Sequence, residues 1–137
     1  MPNARRTATC TVSEARARLR TAQAYLQVAA SVLAEPDRGE YFDVAAGLAV
    51  LAGIAASDAI CGIRLGRIHR GEDHPGAQDL LRQATSDGQK LGTVLGRLLS
   101  VKDAAHYGVL AVSARKAADA KRWAELLVPR AAEESER

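Results

Sequence analysis

The stretch that decides the fold is VAAGLAVLAGIAASDAICGI, residues 44–63. It consists almost entirely of Ala, Gly and aliphatic residues, and Asp58 is its one charged side chain. The segment is long enough to span a membrane, but the Asp58 carboxylate inside it would cost about 2.5–3.5 kcal/mol there. A helix that is apolar on all sides is typical of the centre of a helical bundle. We therefore expect a buried central helix and no association with a membrane.

The composition of the remaining chain also favours helices. The 137 residues are 47% hydrophobic and only 4% aromatic, which predicts an aliphatic, alanine-rich core. No alternating run of strand length is present, and the prolines lie outside the periodic segments or at their edges. The sequence predicts an all-α domain, an up-and-down bundle of about five helices.

Capping and turn residues locate the helix ends. Thr11 and Glu14 have the spacing of a capping box, and Ser113 is a good N-cap for the last helix. We expect Asp73 and Pro75 at the start of a short third helix and a stop at Pro129. The predicted organisation is a flexible basic N-terminus over 1–12, the bundle over 13–129, and a polar, mobile tail over 130–137.

The charge distribution points to an anionic partner without requiring one. The net charge is +3, and five arginines lie within the first twenty residues. Arg16 and Arg20, on the first helix, could belong to a phosphate-facing patch and are the candidate RNA-binding residues; a solvated helix face is the commoner explanation for such a cluster.

The two cysteines and the N-terminal residues indicate which cofactors and which cellular compartment to expect. Cys10 and Cys61 show no metal-ligand spacing and no disulfide framework, so no metal or cofactor is expected. The N-terminus lacks the apolar core of a signal peptide, which favours the cytoplasm.

The segment VKDAAHYG, residues 101–108, gathers Lys102, Asp103, His106 and Tyr107 at the end of an aliphatic helix. Lys102 and His106 are four residues apart and continue the apolar stripe of the helix, so their side chains are expected to be neighbours. A neutral His beside a cation has the parts of a general base with an electrostatic stabiliser. The alternative is an internal hydrogen-bonded network with no catalytic role.

Asp58 needs a partner, because an ionised carboxylate is costly in so apolar a helix. Lys102, His106 and Arg64 are the candidates. Asp58 either forms an ion pair that fixes helix packing or lines one polar pocket with Lys102 and His106.

The order of these features resembles the HEPN superfamily, small helical bundles of bacterial toxin–antitoxin and RNA-processing systems. The similarity covers about residues 13–129. It lies in ARLRTAQAYLQVAASVL, AGLAVLAGIAASDAICGIRLG, DHPGAQDLL, LGRLLSVKDAAHYG and VSARKAADAKRWAELLV. The resemblance implies a homodimer, a possible nucleotidyltransferase-like antitoxin partner, and metal-independent endoribonuclease chemistry carried by an Arg and a His.

The resemblance transfers the catalytic roles to Lys102, His106 and Tyr107, with Asp58 as the acidic residue of the central helix. Lys102 stands where the family has Arg, and three residues rather than four to six separate it from His106. Arg67 and His74 meet the family spacing and form the alternative catalytic pair, although the segment between them crosses a turn.

These departures keep a second function open, a non-catalytic helical module that binds a protein partner or a nucleotide. A metal-binding helical protein is the least favoured, because paired carboxylates on facing helices are missing from the sequence pattern.

Overall fold

A computed structural model describes residues 6–35, 40–71, 74–107 and 112–136, apart from the side chains of His74 and of residues 103–107. Within this part of the chain, five helices and two short strands are present, which confirms the all-α bundle. They are β1 (Thr7–Thr9), α1 (Val12–Leu33), α2 (Tyr41–Leu65), β2 (Arg67–His69), α3 (His74–Ala84), α4 (Gly88–Tyr107) and α5 (Ala114–Ser135).

Local hydrogen bonds fix where α1 and α5 begin. The Thr11 hydroxyl accepts from the Glu14 amide at 3.0 Å, and the Glu14 carboxylate accepts from the Thr11 amide at 2.9 Å. This is the capping box that the sequence predicts. At α5 the Ser113 hydroxyl accepts from the Lys116 amide at 3.1 Å, so both predicted N-caps are confirmed.

The central position of α2 is also confirmed. Its small residues are buried along most of its length and allow close approach of the neighbouring helices. The side chain of Leu98, on α4, fills the space where a Cβ at Gly53 would stand. Near the C-terminal end of α2, a Cβ at Gly62 would likewise collide with Ala15 of α1 and with Cys10. Side chains at these two positions would separate the helices.

The helices run up and down, so the bundle has two distinct ends. At one end the C-terminal turns of α2, α3 and α5 meet the N-terminal turns of α1 and α4. There Arg64 reaches the Ala84 carbonyl, and Arg130 reaches Asp87. At the opposite end, the Asp43 carboxylate accepts from the Val112 amide at 2.7 Å and ties the start of α2 to the segment before α5.

The first of these ends carries a short antiparallel ribbon and is called the ribbon end below. β1 pairs with β2 in the register Thr7 with His69, Ala8 with Ile68 and Thr9 with Arg67. Gly66 makes the ribbon possible, since its φ of 70° reverses the chain directly after α2. Thr7–Thr9 had been placed in a flexible terminus; pairing with a strand sixty residues away orders it, which a local pattern does not reveal.

The C-terminal segment is a second correction. α5 does not stop at Pro129 but continues to Ser135, so the predicted mobile tail is helical over most of its length. Proline lacks the amide that would bond to the carbonyl four residues earlier, which costs helix stability. The helix continues past it because Ala131 and Glu134 are buried against the bundle.

Candidate functional site at the ribbon end

Arginines surround the ribbon. The Arg70 amide donates to the Arg6 carbonyl at 2.7 Å, which extends the ribbon by one pair and places these two exposed residues side by side. Arg67 is also exposed and stands opposite Thr9. Because side chains alternate between the faces of a strand, Arg67 and Arg70 project on opposite faces of the ribbon. Both faces of the ribbon therefore carry positive charge.

Asp58 is the carboxylate that α2 contributes to this end, and Arg18 of α1 is its ion-pair partner. The Arg18 Nη2 and Nε atoms donate to Asp58 Oδ2 at 2.9 and 3.2 Å. The Asp58 side chain is only 16% exposed, whereas the Arg18 side chain is 36% exposed. The pair thus links α1 to α2 immediately beside the ribbon.

Burial nevertheless dominates the chemistry of Asp58. Desolvation raises the pKa of this carboxyl above its ordinary value, and Arg18 opposes that rise most strongly. His69, in β2, and Arg70, directly after it, also lower the pKa through their charge. Asp58 is therefore a carboxylate held in an unfavourable environment by surrounding cations, and perturbed groups of this kind are characteristic of functional sites as well as of structural ion pairs.

The structure separates Asp58 from Lys102, so the predicted shared pocket is wrong for this pair. α2 and α4 are antiparallel and meet where Gly53 contacts Leu98. From that contact, Lys102 lies four residues toward one end and Asp58 five residues toward the other, a separation of about 13 Å along the bundle axis. Lys102 is half-buried near the end of α4.

Arg64 is not the partner of Asp58 either. It points to the opposite side of α2, where its guanidinium contacts the Ala84 carbonyl and Glu134. The predicted set of partners missed Arg18 because the pair joins residues forty positions apart, and the arginine-rich first helix gave no sign of which arginine faces α2.

The remaining candidate residues divide between the two ends. The α4 backbone carries His106 and Tyr107 into its last turn, at the end of the bundle away from Asp58. Their side chains, and those of Asp103 and His74, lie outside the described part, as does the predicted N-cap Asp73. Arg67 belongs to the ribbon end. α3 begins at His74 and reaches the ribbon end only with its C-terminal turn, so ten residues of helix, about 15 Å, separate the His74 backbone from that end.

The two predicted RNA-binding arginines of α1 are both exposed at the ribbon end. Arg16 Nη2 lies 3.4 Å from the Ser135 carbonyl, at the end of α5. Arg20, one turn further along α1, is likewise on the surface. Their exposure is compatible with contact to a large anionic partner.

Buried thiols lie beneath the ribbon. Cys10 and Cys61 are both free and buried. Burial raises the pKa of the Cys61 thiol to about 12, and the Asp58 charge acts in the same direction. A thiol with such a pKa is protonated at neutral pH and is a poor nucleophile. No group of three or more metal-ligating side chains occurs among the described residues.

A second polar cluster at the same end was not predicted from the sequence. Arg130 donates from Nε and Nη2 to the two Asp87 oxygens at 2.9 and 3.1 Å, while Nη1 donates to Glu134. Arg64 Nη1 lies 3.3 Å from the second Glu134 oxygen. We call Asp87, Arg130, Glu134 and Arg64 the C-terminal network. It joins the start of α4 to the ends of α2 and α5.

Searches against models of known protein families and against curated proteins give no match to this chain. One helix among the described residues, α2, is long and apolar enough to cross a membrane by length and composition. Of its most apolar window, 67% is buried inside the bundle, as is common for the core helix of a helical domain.

Proposed function

We propose that this chain is a HEPN-like, RNA-directed protein that binds the phosphate backbone at its ribbon end. The observation that carries the proposal is the group of exposed arginines on the ribbon and on the adjoining half of α1. They are Arg6, Arg16, Arg20, Arg67 and Arg70.

The electrostatics of this end favour a polyanion. Asp58 is mostly buried and already paired with Arg18, and Glu134 is buried within the C-terminal network, so neither of these carboxylates offsets the exposed arginines. The five exposed arginines outnumber the exposed carboxylates of Glu14, Glu133 and Glu136 at the same end. Arginine binds phosphate through two parallel hydrogen bonds, and each phosphate neutralised releases condensed counterions. Affinity for RNA is therefore expected to fall steeply as salt concentration rises.

A finer form of the proposal is metal-independent cleavage of the bound RNA, as in an endoribonuclease toxin held by a nucleotidyltransferase-like antitoxin. Arg67 and His74 are then one candidate pair, because Arg67 belongs to the arginine cluster. Arg67 would stabilise charge on the phosphate, and His74 would take the proton from the ribose hydroxyl. Lys102 and His106 are the alternative pair.

RNA binding is tested with a double variant, Arg67→Gln with Arg70→Gln, measured by fluorescence anisotropy on a labelled structured RNA. We expect affinity to fall by about 10- to 100-fold at low salt, and the slope of log K against log salt to decrease by about 1 to 2. The matched control is Arg115→Gln with Arg122→Gln, which removes the same charge from exposed positions of α5. If both double variants lose the same affinity for RNA, the loss follows from the change in net charge alone. That result would contradict a binding site at the ribbon end.

Cleavage is tested separately in EDTA with wild type, His74→Ala and His106→Ala. Loss of cleavage in His74→Ala alone supports the pair of Arg67 and His74, and loss in His106→Ala alone assigns catalysis to the end of α4. Wild-type protein that binds RNA without cleaving it would leave the RNA-binding proposal intact and refute the endoribonuclease. Wild-type protein that does not bind RNA would favour the module for a protein partner or nucleotide.

A further inference from the structure

The exposed arginines of the ribbon do not share one face. Residues paired across an antiparallel ribbon lie on the same face, and neighbours along a strand alternate between faces. The Arg70 amide bonds to the Arg6 carbonyl at 2.7 Å, which pairs these two residues and places their side chains on one face. Arg67 pairs with Thr9 and lies on the opposite face. Cations therefore leave this ribbon in two opposite directions.

The two groups of cations lie close to each other. Arg67 and Arg70 are three residues apart in an extended segment, so their backbones are separated by about 10 Å along the ribbon. A ligand that contacts both arginines must carry negative charge on two sides of a narrow gap. A single phosphate chain that runs along one face leaves the cations of the other face without a contact.

The ribbon end is poor in the side chains that hold unpaired bases. Proteins that bind single strands stack the bases on aromatic rings. The aromatic residues of the sequence start α2, end α4, or lie in the middle of α1 and α5: Tyr41, Phe42, Tyr107, Tyr25 and Trp123. The ring that β2 carries, His69, has its Nε2 atom buried. An unpaired strand at this end would therefore gain little from base stacking on aromatic rings.

Double-stranded RNA has a matching distribution of charge. Its A-form helix carries two rows of phosphates that face each other across a deep and narrow major groove. Proteins recognise such a duplex mostly by its shape and by contacts to phosphates and 2′-hydroxyls, without reading bases in that groove. Guanidinium groups that leave a thin ribbon in opposite directions suit phosphates on the two sides of the groove.

We propose that the RNA bound at the ribbon end is double-stranded, with Arg67 on one phosphate row and Arg6 and Arg70 on the facing row. This inference rests on the proposed function, because it names the form of RNA that the same site takes. Arg16 and Arg20 of α1 add phosphate contacts beside the ribbon. Both faces of the ribbon are then used at once, and binding depends on the shape of the duplex rather than on its sequence.

The test compares an RNA duplex of about 20 base pairs with each of its separated strands, chosen to lack internal pairing, by fluorescence anisotropy. We expect the duplex to bind at least about 10-fold more tightly at equal phosphate concentration. Arg67→Gln and Arg70→Gln, made singly, should each lower affinity for the duplex by about 3- to 10-fold and reduce the salt slope by about 1. Arg115→Gln, at an exposed position of α5, is the matched control and should change affinity by less than about 2-fold.

The outcomes separate this inference from RNA binding itself. Strands that bind as tightly as the duplex, or a loss confined to one of the two arginine variants, would overturn the duplex and leave an RNA-binding ribbon end. Tighter binding to a DNA duplex of the same sequence would assign the ribbon to the wide major groove of B-DNA and would also overturn it. Binding of neither RNA form would contradict the proposed function together with this inference.

Discussion

Two carboxylates at the ribbon end, Asp58 and Asp87, are each held by an arginine from a distant part of the chain, and their pKa values move in opposite directions. The Asp87 side chain is 40% exposed and accepts two bonds from Arg130 and one from the Thr85 hydroxyl at 2.7 Å. These bonds lower its pKa to about 2. Burial raises the pKa of Asp58 despite Arg18.

The difference teaches that an arginine partner does not by itself make a carboxylate stabilising. Asp87 keeps contact with water, so its charge is not heavily desolvated while three hydrogen bonds favour the ionised form. Asp58 loses most of its hydration, and both hydrogen bonds from Arg18 go to the same oxygen, Oδ2. We expect the C-terminal network to stabilise the fold, and Asp58 to be retained at an energetic cost beside a candidate binding surface.

The largest effect is expected from Arg130→Ala. This change removes the arginine that bonds to Asp87 and one of the arginines that contact Glu134, which is 2% exposed. Breaking a buried ion pair should lower the free energy of unfolding by about 3 kcal/mol, measured by urea titration. In Arg122→Ala, which breaks the surface pair with Asp119, the loss should stay below about 1 kcal/mol. Equal losses would mean that the network does not stabilise the fold.

A smaller effect is expected from Asp87→Asn, about 1 kcal/mol at neutral pH because the side chain is partly exposed. The folded pKa of Asp87, about 2, lies below the unfolded value of about 3.9. The stabilisation is therefore present above about pH 4 and is lost as the pH falls toward 2. Thermal unfolding of wild type and variant should accordingly converge in acid, and a gap that stays constant with pH would contradict the lowered pKa.

The smallest effect is expected from Asp58→Asn, within about 0.5 kcal/mol at neutral pH, because an amide oxygen still accepts from Arg18 and no charge is buried. The folded pKa of Asp58 lies above its unfolded value, so wild-type stability from this group is lost as the pH rises above about 4. The free energy of unfolding of the variant should therefore increase relative to that of wild type as the pH rises above about 4. If the variant instead becomes less stable relative to wild type as the pH rises, the pKa of Asp58 is lowered by folding, as that of Asp87 is.

The candidate site was only partly predictable. Asp58 stands out in the sequence as the charged residue of an apolar helix, and exposed arginines on α1 follow from its periodicity. The pairing of Asp58 with Arg18 depends on a contact between segments forty residues apart. The ribbon, which brings Arg6 close to Arg67 and Arg70, joins segments about sixty residues apart. No local pattern encodes which of several arginines faces a given helix.

The sequence by itself determined the helices and most of their ends. The Thr11–Glu14 capping box, the Ser113 N-cap and the small-residue composition of α2 act within a few residues, so they can be recognised without knowing the fold. Only the tertiary structure decided that Thr7–Thr9 forms a strand, that α5 continues beyond Pro129, and that Asp58 and Lys102 lie apart. In each case packing against a distant segment outweighs a local tendency to be flexible, to end a helix, or to attract an opposite charge.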